Sequence, residues 1–380
     1  MLSASIGGGH VAAANALEAA FGQAGVPCLH VDLLQYTSAP FRTLYRRSYF
    51  DLVRAAPEMV DWLGRRLDRR PSEAPTRMRR LRARVSRLIS YQLPRVLTTF
   101  EPDLILHTHF LPPDVLAQRR SGPRLPLQGV VVTDFGAHAL WMSRDVARYF
   151  VATEDVAVHL RASGVDAARV EVTGIPVDPR FEHLPSQAEA RSRLGLEPDV
   201  DVVLLLLSGL ERRAAEVILD GLRQVRWPLH ALVVSGRSPE LLDVARDAAT
   251  EGGDLVRIHP YGMRTDMPTL MAAASIVVGK PGGLTVSEAL ASGRPYAIVQ
   301  PYPLQEEANA TYLLEQGAAI RIDPLTTFAA KLRGVLSDPV RLAAMQDRAR
   351  AIGHPAAARS VVRSSLQLLD DAQGARPSSG

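Results

Sequence analysis

A chain of 380 residues, 47% of them hydrophobic and 22% charged, is long enough to bury two cores, and this composition excludes a wholly disordered protein. The single cysteine, Cys28, excludes an internal disulfide and is typical of a reducing compartment. No run of about 18 apolar residues occurs, and the start lacks the basic segment and apolar core of a signal peptide. We therefore expect a cytoplasmic protein, either free or attached to a membrane surface.

The first half of the chain alternates short apolar runs with helical stretches. Ser3 to Ile6 predicts a strand, which a glycine turn joins to a helix from Val11 to Phe21. A buried parallel strand usually has about five or six residues, so we expect the recorded start to lie inside the first strand. Further strands are predicted at Cys28–Leu33, Pro102–His107, Gly129–Thr133, Tyr149–Ala152 and Val170–Thr173.

Residues 41–95 form a strongly basic helical segment. They include 15 arginines against 5 acidic residues, a local net charge of +10 in a chain whose total is +4. Large apolar side chains such as Tyr45, Phe50 and Trp62 lie among the arginines, which favours contact with an anionic membrane surface. A solvated helix face and a nucleic-acid surface are the alternatives. We favour the membrane and expect no nucleic-acid partner.

A second alternating series follows a proline-rich polar linker at residues 176–191. Strands that alternate with helices predict an α/β protein with two Rossmann-like domains, whose parallel sheets face a central cleft at the carboxyl ends of their strands. The predicted domains are residues 1–180 and 181–370, with a disordered polar tail at 371–380. The strands of the second series are predicted at 202–207, 231–234, 256–259, 276–278, 296–299 and 319–322.

The first glycine turn ends in His10, at the start of a predicted helix. Glycines let a ligand approach the backbone closely, so Gly8 and Gly9 are candidate contacts of a ligand. The positive end of the helix dipole favours a neutral imidazole, which can take a proton from a hydroxyl. His10 is therefore a candidate base, although a histidine that only caps the helix fits the motif equally well.

Polar and aromatic side chains also follow two strands of the first half. Asp134, His138 and Trp141 come after one of them, where a carboxylate and an imidazole can orient a base and an indole can pack against an apolar acceptor. A helix cap followed by an amphipathic turn is the alternative. His107 and His109 end the other strand, and we expect one in the core and the other facing the site. No spacing predicts a zinc site, so no metal is expected.

The stretch 279–309, GKPGGLTVSEALASGRPYAIVQPYPLQEEAN, carries the strongest functional signal. Gly282 and Gly283 precede a helix predicted to start at Thr285, so backbone N–H groups and the helix dipole converge on an anion. Glu288 adds a carboxylate one turn inside that helix. Thr285 and Glu288 also form the T-x-x-E pattern of a capping box, and for this pattern alone the structural role is favoured.

A polar loop is predicted after the next strand, and it contains Gln305, Glu306 and Asn309. Ligands bind at the carboxyl ends of strands in sheets of this kind, although a solvated loop is the alternative. The nearby glycine turn favours one joint site. Phosphate, ribose and sugar hydroxyls together would use all of these groups, so the stretch indicates a nucleotide-sugar site.

Four motifs follow one another along the chain: SxSxGGGHxxAAxAL, TDFxxHxxW with YFVATE, VTGIPVDPRF, and KPGGLTxSEALASGxP with QEExN. Together they resemble the diacylglycerol glycosyltransferases of glycosyltransferase family 28, which comprise monogalactosyldiacylglycerol synthases and processive diacylglycerol glucosyltransferases. The resemblance implies a GT-B fold, an acceptor site in the N-terminal domain, UDP-sugar in the C-terminal domain, and inverting chemistry without a metal or cofactor. The segment SGLERR and the loop before Gln305 depart from the family pattern.

The same resemblance implies roles for individual residues. His10 would be the catalytic base, with Asp134 as the second candidate. The lipid acceptor would lie against residues 41–95 and against Gly8, Gly9, His109, His138 and Trp141. The diphosphate would meet Gly282, Gly283 and Thr285, the ribose Glu288, and the sugar Gln305 and Glu306, with Asn309 completing the donor site.

We therefore predict a peripheral enzyme at the inner face of the cell membrane that moves glucose or galactose from UDP-sugar to 1,2-diacylglycerol in glycolipid synthesis. One alternative is a transferase that moves N-acetylglucosamine from its UDP derivative to a polyprenyl-linked or other lipid acceptor. The other is a non-catalytic, membrane-associated protein that binds nucleotide sugars.

Overall fold

The computed structural model describes residues 1–5, 8–36, 93–110, 126–138, 141–143, 145–251, 253, 255–301 and 305–374. The chain divides into two compact units. Unit 1 comprises Met1–Pro179, Pro303–Gln305 and Ala356–Gly380, and unit 2 comprises Arg180–Tyr302 and Glu306–Pro355. The predicted membrane-facing segment 41–95 lies outside the described residues, except for the backbone at 93–95. Among the described helices, none has the length and apolar character that crossing a bilayer requires.

Unit 1 contains a parallel sheet of six strands. They are β1 Leu2–Ser3, β2 Val31–Asp32, β3 Leu104–His107, β4 Leu127–Val131, β5 Arg148–Val151 and β6 Val170–Val172. Their order in the sheet is β2-β1-β3-β4-β5-β6. The described helices along this part of the chain are α1 Gly9–Gln23, α2 Leu93–Phe100 and α3 Glu154–Ala162.

Unit 2 contains a second parallel sheet of six strands. They are β7 Asp201–Leu206, β8 Leu229–Val234, β9 Val256–Tyr261, β10 Ile276–Gly279, β11 Tyr296–Val299 and β12 Ala319–Ile322. Their order is β12-β11-β10-β7-β8-β9. The helices are α4 Gln187–Arg193, α5 Arg212–Arg223, α6 Pro239–Thr250, α7 Met267–Ala273, α8 Gly283–Ala291, α9 Gln305–Glu315, α10 Phe328–Leu336 and α11 Pro339–Ile352.

The strands are apolar along most of their length because helices cover both faces of each sheet. β8, with the sequence LHALVV, is buried at all six positions, and β10 and β11 are buried at all four of theirs. In unit 2, Leu205 and Val233 from the sheet pack with Ile218 of α5 and Leu332 of α10. The prediction of two Rossmann-like α/β domains is confirmed. β11 and β12 have the predicted bounds, and most other strands are shifted at one or both ends.

The last helix, α12 (Ala357–Gly374), belongs to unit 1, although the sequence places residues 181–370 in the second domain. Its small apolar stripe packs against Leu17 and Phe21 of α1 through Ala358, Val361 and Val362. The return of the chain to unit 1 thus completes the apolar cluster that Leu17 and Phe21 form with residues of the sheet. The predicted disordered tail begins too early, because α12 continues to Gly374; residues 375–380 lie outside the described residues.

Candidate active site

His10 is the second residue of α1, as the sequence predicts, and Gly8 is the N-cap of that helix. Gly8 has an ordinary φ of −83°, and a Cβ atom added to it would meet nothing within 4 Å. Neither backbone strain nor packing among the described residues therefore requires a glycine there. Within this part of the structure, a ligand has space to approach the backbone at the start of α1.

The His10 ring is anchored at the carboxyl ends of two strands. Its Nδ1 atom lies 2.9 Å from the carbonyl oxygen of Thr108, which follows β3, and 2.7 Å from Oγ1 of Thr133, which follows β4. The Thr108 hydroxyl in turn donates to the main-chain carbonyl of His10 at 2.8 Å. Burial lowers the pKa of His10 to about 4, partly offset by the Thr108 hydrogen bond. The imidazole is therefore neutral near pH 7, as a proton acceptor must be.

Aromatic and histidine rings surround this imidazole. The His109 ring packs edge-on at 4.6 Å from the His10 centroid, and Phe110 stacks on His109 at 4.2 Å. Phe110 also contacts the rings of His138 and Trp141, at 5.0 and 5.8 Å. Burial, with His10 and His138 nearby, holds the pKa of His109 well below its usual range. The structure thus brings together the candidate residues that lie far apart in sequence.

Trp141 and Asp134 occupy different places in this cluster. Trp141 is completely buried in the core of unit 1, with its ring centroid 6.3 Å from that of His10. It forms a wall of the ring cluster, and its contact with a lipid acceptor stays a prediction. Asp134 is 9% exposed and directly follows Thr133, the residue that touches His10. Its role as the second candidate base also stays a prediction.

His107 is the member of the histidine pair that lies in the core. It is completely buried, and its Nε2 atom lies 3.0 Å from Oε1 of Gln128 on the adjacent strand. Burial lowers the pKa of His107 to about 3. His109, by contrast, contacts the His10 ring. The core position of His107 agrees with the expectation, and the role of His109 as the site histidine stays a prediction.

In unit 2, the second glycine turn joins β10 to α8. The helix begins at Gly283, and its N-cap is Gly282, which has no side chain to cap it. Thr285 is the third helical residue, so the predicted helix start and the capping box of Thr285 with Glu288 are both wrong. The N-cap residue therefore offers no side chain to the first backbone N–H groups of α8, and a helix N-terminus of this kind is suited to an anion.

Two buried side chains hold this turn in place. The Tyr296 hydroxyl donates to the Lys280 carbonyl at 2.8 Å, and the amide nitrogen of Asn309 donates to the Pro281 carbonyl at 2.9 Å. Asn309 is completely buried, so its side chain supports the turn. A Cβ atom on Gly279 would lie 2.9 Å from the Tyr296 hydroxyl oxygen, which explains the glycine at the end of β10.

Carboxylates converge beside the same turn. Burial, and then the carboxylates of Glu306 and Glu288, raises the pKa of Tyr296, so its hydroxyl stays protonated and both carboxylates lie near it. Glu306 also lies 3.9 Å from the Lys280 ammonium, with side chains 17% and 10% exposed. A Cβ atom on Gly282 would meet only Glu306 Oε1, at 3.9 Å, and the φ of −64° is ordinary. Gly282, like Gly8, is a glycine that packing among the described residues does not require.

The predicted polar loop at 305–309 is wrong, because these residues form the first turns of α9. The side chain of Gln305 lies outside the described residues. Four further contributors are not among the candidate residues of the sequence: Thr108, Thr133, Lys280 and Tyr296. Thr133 and Lys280 do have a signal, since they are the first residues of the motifs TDFxxHxxW and KPGGLTxSEALASGxP, and Lys280 is also one of two lysines among 44 basic residues. Among the described residues, no group of three or more histidine, cysteine or carboxylate side chains lies close enough to hold a metal ion.

Comparisons with known proteins cover both units. Residues 10–177 match the family model of monogalactosyldiacylglycerol (MGDG) synthase, and residues 212–360 match that of the glycosyltransferase family 28 C-terminal domain. The chain is 29% identical over 376 residues to a processive diacylglycerol beta-glucosyltransferase of Bacillus mycoides, which covers 95% of this chain and 91% of that protein. The protein of the same name from Bacillus subtilis is 28% identical over 253 residues, with 65% and 64% covered.

Solved structures show the same fold at lower identity. MurG of Acinetobacter baumannii superimposes with a TM-score of 0.62 at 18% identity, covering 96% of this chain and 97% of that one. The UDP-GlcNAc 2-epimerase of Neisseria meningitidis gives a TM-score of 0.57 at 14% identity, with 94% and 97% covered. These neighbours support the GT-B type of two-domain α/β fold. With the family matches on both units, the chain belongs to the diacylglycerol glycosyltransferases of glycosyltransferase family 28.

Proposed function

We propose that this protein transfers a hexose from a UDP-sugar to the 3-hydroxyl of 1,2-diacylglycerol, with inversion at the anomeric carbon. The observation that carries the proposal is the turn at 279–283, which leads into the N-terminus of α8. The N-cap of this helix, Gly282, has no side chain, and packing among the described residues does not require a glycine there, so a diphosphate can approach the backbone N–H groups. Glucose is the first sugar to test, because curated relatives are named as beta-glucosyltransferases. Galactose is the second, because the matched N-terminal family model is that of MGDG synthase.

In this proposal the turn and its surroundings bind the donor. The N–H groups at Gly283 and Thr285 meet the diphosphate, and the Lys280 ammonium adds a positive charge beside it. Glu288 accepts hydrogen bonds from the ribose hydroxyls, while Gln305 and Glu306 bind the sugar. Tyr296 and Asn309 keep the turn in the geometry that these contacts need.

The reaction is a single displacement. The acceptor hydroxyl gives its proton to His10 and its oxygen attacks the anomeric carbon, while the bond from that carbon to the diphosphate oxygen breaks. UDP leaves with the electron pair of that bond. Fixed N–H groups and a helix dipole at the diphosphate stabilise the charge that develops there, without reorganisation during the step. The proposal therefore assigns no step to a resident metal or cofactor.

Replacing Gly282 with alanine is expected to raise KM for UDP-sugar about tenfold, which corresponds to ~1.4 kcal/mol of lost donor binding. The new methyl group fits the free protein, but it occupies space through which the diphosphate approaches the N–H groups. The melting temperature is expected to stay within about 2 °C, as for other substitutions without a clash. Steady-state kinetics and thermal unfolding measure the two effects. Gly334→Ala, which also adds a methyl group to open space in unit 2, is the control and should leave KM unchanged.

The function itself is tested with the purified protein, liposomes that contain diacylglycerol, and UDP-glucose, UDP-galactose or UDP-N-acetylglucosamine. Release of UDP together with formation of a hexosyl-diacylglycerol supports the proposal. UDP release without glycolipid contradicts the diacylglycerol assignment and favours a polyprenyl-linked or other lipid acceptor. Binding of donor without release by folded protein favours a non-catalytic nucleotide-sugar-binding protein.

We further propose that the arginine-rich segment 41–95 attaches the enzyme to the anionic inner face of the cell membrane. The support is its local net charge of +10 with interspersed aromatic residues. Binding to vesicles with anionic lipid is expected to weaken severalfold as salt rises from about 0.1 M to about 0.5 M, since salt screens exposed charges. Vesicle flotation measures the bound fraction at each salt concentration, and binding that does not depend on salt would instead indicate apolar insertion.

Replacing Arg77, Arg79 and Arg80 with neutral residues should weaken this binding, whereas the same replacement of exposed arginines of unit 2 should not.

A further inference from the structure

We propose that Thr133 is a positioning residue which, with the Thr108 carbonyl, holds His10 in the tautomer that carries its proton on Nδ1. Nε2 then presents the lone pair that takes the proton of the acceptor hydroxyl. This inference rests on the proposed function, because it gives His10 the role of base. It adds a residue to the site, and it identifies which nitrogen reacts.

The Thr108 carbonyl decides the tautomer. A carbonyl oxygen can only accept a hydrogen bond, and it lies 2.9 Å from Nδ1 of His10. If Nδ1 had no proton, two lone pairs would face each other across that distance. Nδ1 must therefore be the protonated nitrogen of the neutral ring. The Thr133 oxygen, 2.7 Å from the same atom, then acts as a second acceptor of that proton.

The surrounding structure makes Thr133 a rigid partner. The residue is 4% exposed and directly follows Val132 at the carboxyl end of β4. β4 pairs with β3 in parallel register, with His107 opposite Val130, so the two threonines that touch His10 extend from adjacent strands of one sheet. A β-branched side chain also has restricted χ1 rotation, which limits movement of the hydroxyl. The imidazole is thus oriented by the sheet itself.

Thr133 also bears on the protonated state of His10. When Nε2 takes the proton, the ring becomes a cation whose Nδ1–H is shared between two oxygen atoms. Among the described contacts of that nitrogen, both partners are neutral oxygens and neither is a carboxylate. The neighbouring His109, 4.6 Å away, is held neutral and adds no opposing charge. Loss of the Thr133 oxygen removes one of the two groups that support the cation.

The test compares Thr133→Val, which removes the hydroxyl and keeps the shape, with Thr133→Ser, which keeps the hydroxyl. Thr173→Val is the matched control, because Thr173 is also buried, follows a strand of the same sheet, and donates only to the Gly174 carbonyl in the described structure. We expect Thr133→Val to lower kcat about tenfold, the effect of losing roughly 1.4 kcal/mol in the transition state, with KM for UDP-sugar within about twofold. The serine variant should recover most of the lost kcat. A kcat for Thr133→Val equal to that of Thr173→Val would overturn the proposal.

A second measurement does not depend on activity. In protein labelled with ¹⁵N-histidine, the His10 signals, assigned as those absent from His10→Gln, should show protonated Nδ1 and unprotonated Nε2 at pH 7. Thr133→Val should mix the two tautomers, and Thr133→Ser should not. Protonated Nε2 in the wild-type protein would overturn the assignment. Absence of sugar transfer by the wild-type protein would contradict the proposed function instead, and the tautomer would still be decided by this spectrum.

Discussion

Replacing His10 with alanine is expected to lower kcat for sugar transfer about a thousandfold, within the range usually lost with a general base. The ring that takes the acceptor proton is removed, while the turn at 279–283, which we propose to bind UDP, belongs to unit 2. Binding of UDP should therefore stay within about twofold of the wild-type value. Steady-state kinetics measure the first effect, and titration calorimetry with UDP measures the second.

Two further variants make this result specific. His159→Ala removes an exposed histidine of α3 in the same unit, and it should leave kcat unchanged. Asp134→Asn removes the second candidate base. If His10→Ala keeps substantial turnover and Asp134→Asn loses it, the base is Asp134 and His10 does not take the acceptor proton.

The pH dependence of the wild-type enzyme tests the same assignment. Burial lowers the pKa of His10 to about 4, and the neutral form is the one that accepts a proton. The ratio kcat/KM reports ionisations of the free enzyme. It should therefore stay level as pH falls from 7 and decline only as the pH passes through about 4. A decline centred near 6.5, the ordinary value for histidine, would show that the reacting imidazole is not enclosed in this way.

Replacing Glu288 with glutamine is expected to raise KM for UDP-sugar about a hundredfold, because charge-assisted hydrogen bonds to the two ribose hydroxyls are weakened together. The melting temperature should change little, since the N-cap of α8 is Gly282 and not Thr285, so Glu288 is not part of a capping box. Kinetics with varied donor and thermal unfolding separate the two effects.

Glu216→Gln is the matched control for this variant. Glu216 also lies on a helix of unit 2, and its carboxylate pairs with Arg212 at the surface. This substitution should leave both KM and the melting temperature close to the wild-type values. A large fall in melting temperature for Glu288→Gln with unchanged KM would show that Glu288 is structural and that the ribose contact lies elsewhere.

Much of the fold could be predicted because buried parallel strands are nearly continuous apolar runs, as in β8 and β10. The start of α8 was mispredicted because its N-cap, Gly282, has no side chain to signal it, whereas Thr285 and Glu288 imitate a capping box. The polar residues at 305–309 looked like a loop because the first turn of a helix often carries acidic residues, as α9 does.

The side-chain hydrogen bonds that hold the two glycine turns could not be predicted, because they join residues that lie far apart in sequence and meet only in the folded protein. Tyr296 reaches the Lys280 carbonyl from 16 residues away, and Asn309 reaches Pro281 from 28. Thr133 contacts His10 across 123 residues. Sequence patterns identify which residues have suitable chemistry, and the sheets decide which of them meet.

The placement of α12 has a consequence for synthesis of the protein. Unit 1 begins with the first residues of the chain but needs Ala358, Val361 and Val362 to cover Leu17 and Phe21. On the ribosome, Leu17 and Phe21 therefore meet these partners only after the chain of unit 2 has been synthesised, whereas all strands of unit 2 are available earlier. A nascent chain stopped before α12 would keep that surface open to chaperones and to aggregation.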